Sequence, residues 1–279
     1  MIKERILYED EDIIVCHKAS GIATQTARIG QADMVSEIMN YLMHAEGGQD
    51  KTSGSQGQKD GSGRQGGRNR NAPYVGVVHR LDQPVEGVLV FAKNKQAAAG
   101  LSRQISENGV EKYYYAVVCG QGFVKSGRLT DYLLKDARTN TSRITPSEVK
   151  GAKMAVLDYE ILDEAFATKE EYAELGRGQE ANREAVIRPL RIGLARICLH
   201  TGRHHQIRVQ MSHAGMGLLG DYKYADADAV KISEKMHVKN VALCAYHLSF
   251  RHPRTEKKMQ FEIKPEGKIF QKYVARQIV

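Results

Sequence analysis

The sequence holds no uncharged apolar run near the roughly 18–20 residues that a helix needs to cross a bilayer, so a helical membrane span is excluded. Cysteine is scarce and scattered: Cys16, Cys119, Cys198 and Cys244 never form a CxxC pair. That spacing argues against a disulfide scaffold and a zinc ribbon, and a reducing, cytoplasmic location is expected. The amino terminus, MIKERILYEDEDIIV, puts acids where a signal peptide carries apolar residues, so secretion is not expected.

What is present suits an ordinary soluble protein. Hydrophobic residues make up 42% and charged residues 27% of 279, enough chain for a sizeable core. Lys and Arg number 41 against 33 Asp and Glu, a net charge of +8. Such a surplus favours a polyanionic partner, because each phosphate neutralised releases condensed counterion.

Along the chain, Ile6–Tyr8 and Ile13–Cys16 flank an acidic turn and read as a hairpin. Met34, Val35, Ile38, Met39 and Leu42 follow Asp33 at helical spacing, with the aspartate as N-cap. Residues 47–71 carry eight Gly and no apolar side chain, so nothing there offsets the entropy of ordering. A flexible insertion is expected, either simply solvated or acting as a basic arm for RNA through Arg64, Arg68 and Arg70. Strands are expected at 75–79, 88–93, 113–119, 152–162, 194–199, 241–250 and 259–263. A helix is expected at Lys95–Asn108, stopped by Gly109, and a short one near the end. Residues 163–189 read as a charged surface excursion. Many antiparallel-looking strands with a few helices give the α+β class: one domain over 1–279 built on a mixed, largely antiparallel sheet with flanking helices.

Four stretches carry candidate chemistry: His79-Arg80-Leu81-Asp82, Glu111-Lys112-Tyr113-Tyr114, TGRHHQIRVQM at 201–211, and Leu219-Gly220-Asp221. His200, His204, His205 and His213 crowd together, but their spacing matches no common zinc pattern. His204 and His205 are adjacent, so on regular structure they point apart, and Arg203 and Arg208 would repel a cation. No metal is expected.

In combination these stretches resemble the RluA-type pseudouridine synthase family, in its order and spacing. The segments are ILYEDEDIIVCHKASGI, HRLDQPVEGVLVFAKN, EKYYYAVVCG, TGRHHQIRVQMSHAG, LLGD and LCAYHLSFRHP. The family's usual Thr-Ser-Gly after HRLD is here Val85-Glu86-Gly87, its Lys-Pro is Lys18-Ala19, and its Gly-His-Pro is Gly215-Met216-Gly217. Glu86 either raises the pKa of the nearby aspartate or points to solvent. The small amino-terminal RNA-binding domain that many members carry is expected to be absent.

The resemblance implies an RNA uridine-to-pseudouridine isomerase without a cofactor, acting on ribosomal or transfer RNA, with a monomer as the default state. It places the catalytic carboxylate on Asp82, its cationic partner on Arg208, and an aromatic assistant on Tyr114. On a strand, Tyr114 faces away from both Tyr113 and Tyr115. Arg80, Arg203 and His205 are expected at the substrate, Arg203 at a phosphate. Whether Asp82 attacks the sugar or abstracts a proton to give a glycal is left open. A uridine in structured RNA must be flipped out first. The other classes considered are a catalytically inactive RNA-binding protein on the same fold and a different cofactor-free RNA or nucleotide enzyme, such as a hydrolase using Asp82 as base.

Overall fold

The computed structural model describes residues 2–26, 30–47, 72–167 and 190–274. Its strands are β1 (Ile6–Glu9), β2 (Ile13–Lys18), β3 (Gly76–Val77), β4 (Glu86–Ala92), β5 (Glu111–Gly120) and β6 (Ser126–Asp136). There follow β7 (Thr141–Ile144), β8 (Lys153–Phe166), β9 (Arg191–Leu199), β10 (Gly217–Leu218), β11 (Leu243–Arg251) and β12 (Lys258–Glu262). The helices are α1 (Met34–Gly47), α2 (Lys95–Ser106), α3 (Gln206–His213), α4 (Ala227–Lys235) and α5 (Lys268–Val274).

The strands form one sheet in the order β1-β2-β4-β11-β5-β9-β8-β6-β7, with β3, β12 and β10 attached to β4, β11 and β5. Every strand pairing is antiparallel except β4 with β11, which confirms the mixed α+β class. Local chemistry sets several element ends. Asp10 Oδ1 accepts the N–H groups of Asp12 and Ile13, at 2.8 and 2.9 Å, and so closes the first hairpin. Asp33 Oδ1 caps α1 through the Ser36 N–H at 2.8 Å, and Asn94 caps α2 through Ala97 at 2.8 Å.

Alternation along each strand sorts the core to two faces. On one face, Ile14, Cys16, Leu89, Tyr114, Ala116, Ala195 and Ile197 pack beneath Met34, Ile38 and Leu42 of α1 and Ile207 and Met211 of α3. On the other, Val88, Val90 and Phe250 pack on Leu101 of α2, while Val117 and Leu194 meet Ile232 of α4 and Phe270 of α5. Each fully buried aliphatic contributes roughly 1.5–3 kcal/mol. The first face, under α1 and α3, is the one that carries Leu81 and hence the loop of Asp82.

Some boundaries differ from the sequence reading. The expected strand at 75–79 shrinks to β3, because the His79 ring, Nε2 at 3.1 Å, takes the Val90 N–H that a ladder carbonyl would take. Helix α2 ends at Ser106, with Asn108 rather than Gly109 in the left-handed region. Strand β8 runs on to Phe166, so residues 163–166 belong to the sheet and not to an excursion. The remainder of that excursion, 168–189, and residues 48–71 of the Gly-rich insertion lie outside the described residues. Elements β6, β7, β10, α3 and α4 were not anticipated.

Candidate active site

The loop between β3 and β4 carries Asp82, and it is stapled to residues 18–24. Thr24 Oγ1 donates to the Leu81 carbonyl at 2.9 Å and accepts the Leu81 N–H at 3.2 Å. The Gln83 carbonyl accepts from the Gly21 N–H at 2.9 Å and from Lys18 Nζ at 3.1 Å, and the Pro84 carbonyl accepts from Ser20 Oγ at 2.7 Å. Lys18 is fully buried, and its other bonds go to the Ala19 and Ile22 carbonyls, at 3.1 and 2.6 Å. Burial pulls its pKa down to about 8 while Asp82 and Glu86 pull upward, so it remains charged at neutral pH.

Across the cleft, α3 presents Arg208, which is 126 residues from Asp82 in sequence and 3.3 Å from it in space, Nη1 to Oδ2. The two-pronged grip expected on Asp82 is made elsewhere. Arg208 Nε and Nη2 each donate to Asp221 at 2.7 Å, and Asp221 also accepts the Lys223 and Tyr224 N–H groups. Arg208 and Asp221 are only 6% and 1% exposed, whereas the Asp82 side chain is 29% exposed and open to the cleft. Burial works against the Arg208 charge, but the bonds and attraction from Asp221 and Asp82 prevail and raise its pKa. Asp221 is aimed by Gly220, whose φ of +73° and close approach to the Asn240 carbonyl leave no room for a Cβ.

Tyr114 forms part of the apolar floor. Its neighbours face the other way, Tyr113 edge-on to His247 and Tyr115 stacked on Tyr246 at 3.9 Å. Burial, the Asp82 charge and Cys244 all push the Tyr114 pKa up, so it is a neutral phenol that can donate a proton but not accept one as a phenolate. A buried Arg–Asp pair that lends its Nη1 to a partly exposed carboxylate, beside a buried tyrosine, is suited to chemistry at a sugar carbon.

A family model for RNA pseudouridylate synthases matches residues 12–213. The chain belongs to that family. The enzyme is thus an isomerase that converts uridine to pseudouridine in RNA. It is 30% identical over 261 residues to the ribosomal large subunit pseudouridine synthase D of Zymomonas mobilis, covering 92% of this chain and 68% of the relative. It is 27% identical over 255 residues to the tRNA pseudouridine synthase C of Haemophilus ducreyi, covering 91% and 88%. The solved structure of human RNA pseudouridylate synthase domain containing 4 shares the fold, with a TM-score of 0.64 at 18% identity, covering 99% of this chain and 94% of that one. Asp82, Tyr114 and Arg208 lie inside the stretch matched by the family model; Asp221 and Tyr224 lie beyond it.

The remaining predicted residues of the enzyme are dispersed around this centre. Arg80 is exposed beside Asp82, with Nη2 3.5 Å from the Gln25 carbonyl. Arg203 is also exposed and is held by the Met154 carbonyl at 2.8 Å. His205, expected at the substrate, sits against the aspartate itself, Nε2 3.5 Å from Asp82 Oδ2. The expectation that His204 and His205 point apart is wrong. His205 adopts φ +55°, which breaks the regular geometry and stacks the two rings at 3.7 Å. Glu86 does not point to solvent: it is buried, accepts the Glu266 N–H at 2.8 Å and meets His17 Nε2 at 3.0 Å.

Two groups among the described residues gather metal-ligand types, Asp10/Asp12/His252 and His17/Glu86/Glu266. Arginines close both: Arg254 lies 2.6 Å from Asp12, and Arg5 lies 3.3 Å from Glu266. The roles of Asp221, Tyr224 and Thr24 were not read from the sequence. For Asp221 the signal was the LLGD motif itself; for the other two there was none.

Proposed function

We propose that the enzyme flips a uridine of ribosomal or transfer RNA into this cleft and isomerises it with Asp82 acting at the ribose. The observation that carries the reading is the ionic arrangement at Asp82, in which Arg208 is held by Asp221 through Nε and Nη2 and reaches the partly exposed carboxylate through Nη1. In the reaction the bond from N1 to C1′ breaks and a bond from C5 to C1′ forms. C5 loses its hydrogen and N1 gains one, so nothing is released but a proton exchanged with water. Attack on C1′ and proton abstraction at C2′ both start from the ionised carboxylate. Arg208 stabilises that charge, and Asp221 keeps the stabilisation from becoming too strong, since it already neutralises the guanidinium.

Tyr114 supplies a ring for the uracil and a neutral hydroxyl for proton donation. Arg80, Arg203 and His205 are the substrate-facing groups, the two exposed arginines toward phosphate or the vacated stack. The similarity to a ribosomal and to a transfer-RNA enzyme supports both substrate classes, and the net charge of +8 supports a polyanion. None of the four cysteines is in a disulfide, and three of them are buried, which accords with a cytoplasmic setting. Pseudouridine mapping of total RNA from cells with and without the gene tests the reading. At least one site must disappear with the gene; an unchanged map would leave the inactive RNA-binding alternative.

A further inference from the structure

Resting on the assignment of Asp82 as the catalytic carboxylate, we infer that His205 and Tyr224 are a positioning pair for it. Tyr224 fixes the His205 ring as a neutral donor aimed at one oxygen of Asp82, leaving the other oxygen for the ribose.

Four observations carry this. First, His205 occupies the N-cap of α3 yet makes no side-chain capping bond. Ser, Thr, Asp or Asn would satisfy that helix end, so the imidazole is committed elsewhere. Secondly, the residue is held at φ +55°, in the left-handed region that a residue with a Cβ disfavours. What holds the ring in that pose is a 2.6 Å hydrogen bond between His205 Nδ1 and Tyr224 Oη.

Thirdly, the protons of this network are determined by its neighbours. Tyr224 Oη already accepts the Ser142 N–H at 2.8 Å, so its own single proton is free to go to His205 Nδ1. The His205 proton is then on Nε2, the nitrogen that lies 3.5 Å from Asp82 Oδ2. The opposite tautomer would set a lone pair against a carboxylate. A separation of 3.5 Å is long for a hydrogen bond, as is common before substrate closes a site.

Fourthly, Arg208 Nη1 approaches the same oxygen, Oδ2, at 3.3 Å. Oδ1 therefore has no donor among the described residues, and it is the oxygen left to react. Tyr224 serves both donors at once, because its ring also lies beneath the Arg208 guanidinium, 5.0 Å from Cζ to centroid. Its backbone is tied to the same centre through the N–H to Asp221 and the carbonyl that accepts from Ser212 Oγ.

The groups facing His205 are Asp82 from the β3–β4 loop, Arg208 from α3, its neighbour His204, and Lys223 and Tyr224 from the segment after β10. Burial depresses the His205 pKa to about 4; Arg208, His204 and Lys223 act in the same sense, and Asp82 opposes them. The ring thus sets an N–H beside the carboxylate without a second full positive charge. An imidazolium there would hold the carboxylate too tightly to react.

The test is single-turnover tritium release from RNA carrying 5-tritiated uridine, over pH 5–8, with RNA affinity measured in parallel. Tyr224→Phe retains the ring under Arg208 and removes only the hydroxyl. It is expected to slow release about 10- to 100-fold, the loss of one hydrogen bond to a charged system, with RNA affinity within about twofold. Loss of a donor to the neutral ring should move the ionisation of His205 in the rate profile upward from that of the wild type. The double variant Tyr224→Phe/His205→Phe should be no slower than His205→Phe alone.

Wild-type rate and pH profile in Tyr224→Phe, or additive losses in the double variant, would overturn the pairing. If the variants lose their melting transition, histidine-labelled wild-type protein decides by long-range nitrogen NMR. His205 must then be an Nε2–H tautomer that does not titrate near pH 6.5, and the opposite tautomer refutes the inference. Asp82→Asn, run alongside, separates the two levels. Release from Asp82→Asn at the wild-type rate would end the catalytic assignment, whereas a dead Asp82→Asn beside a normal Tyr224→Phe would end only the pairing.

Discussion

Asp221 supports the proposed centre from beneath, being buried and bonded twice to Arg208. It neutralises a guanidinium that is itself almost fully buried, and a buried arginine left without its carboxylate is costly. Asp221→Asn retains the shape and removes the charge, so it should cost about 3 kcal/mol, or roughly 6–12 °C in melting temperature. Arg208 should also turn its fork toward Asp82 and hold it more tightly. Tritium release should therefore fall by a larger factor than RNA affinity does. An unchanged melting temperature would show that Asp82 alone suffices to pair the arginine.

Among the elements, the Asp82 loop is held less by its own strands than by the segment 18–24. Thr24 is buried and satisfies both backbone groups of Leu81 with one hydroxyl. Thr24→Val is close to isosteric but leaves a buried N–H and a buried carbonyl unpaired, at about 1–3 kcal/mol each. The expected result is a lower melting temperature together with a rate loss at saturating RNA, because the loop that presents Asp82 is loosened. If the rate at saturating RNA is normal, the staple serves stability only. Gly87 has a comparable part where β4 and β11 run parallel, since a Cβ there would meet Ala245 at 2.4 Å.

For the whole molecule, the histidines that are kept neutral set the response to acid. Burial lowers His205 to about 4, and burial with Lys112 lowers His79 to about 3. The unfolded chain, with both near 6.5, binds more protons than the folded one over this interval. Their contribution is therefore fully present above about pH 6.5 and declines as pH falls toward 4 and then 3. Melting curves should show a lower transition at pH 5 than at pH 7; a flat profile across that range would contradict it. The Gly-rich insertion is read from the sequence alone. Deleting residues 48–71 removes no apolar side chain, so the melting temperature should scarcely change. If the segment is a basic arm, the same deletion should weaken RNA binding and flatten its salt dependence.

Much of the fold was legible because alternation and capping are local. The hairpin around Glu9–Asp12, the stripe of α1 and the apolar runs of β4, β5 and β11 need only neighbouring residues to be read. Helix α3 was hidden because the sheet buries it on several sides, so Gln206–Met211 carries no clear apolar stripe. The motif residues Asp82, Tyr114 and Arg208 could be named in advance, and so could the alternation that separates Tyr114 from Tyr113 and Tyr115. What no periodicity contains is which carboxylate receives which prong of Arg208. That choice, the left-handed turn of His205 and the burial of Glu86 against His17 depend on contacts between segments distant in the chain. Only packing brings the LLGD turn to 2.7 Å and the Asp82 loop to 3.3 Å from Arg208 of α3, and hydrogen bonds are decided at that range.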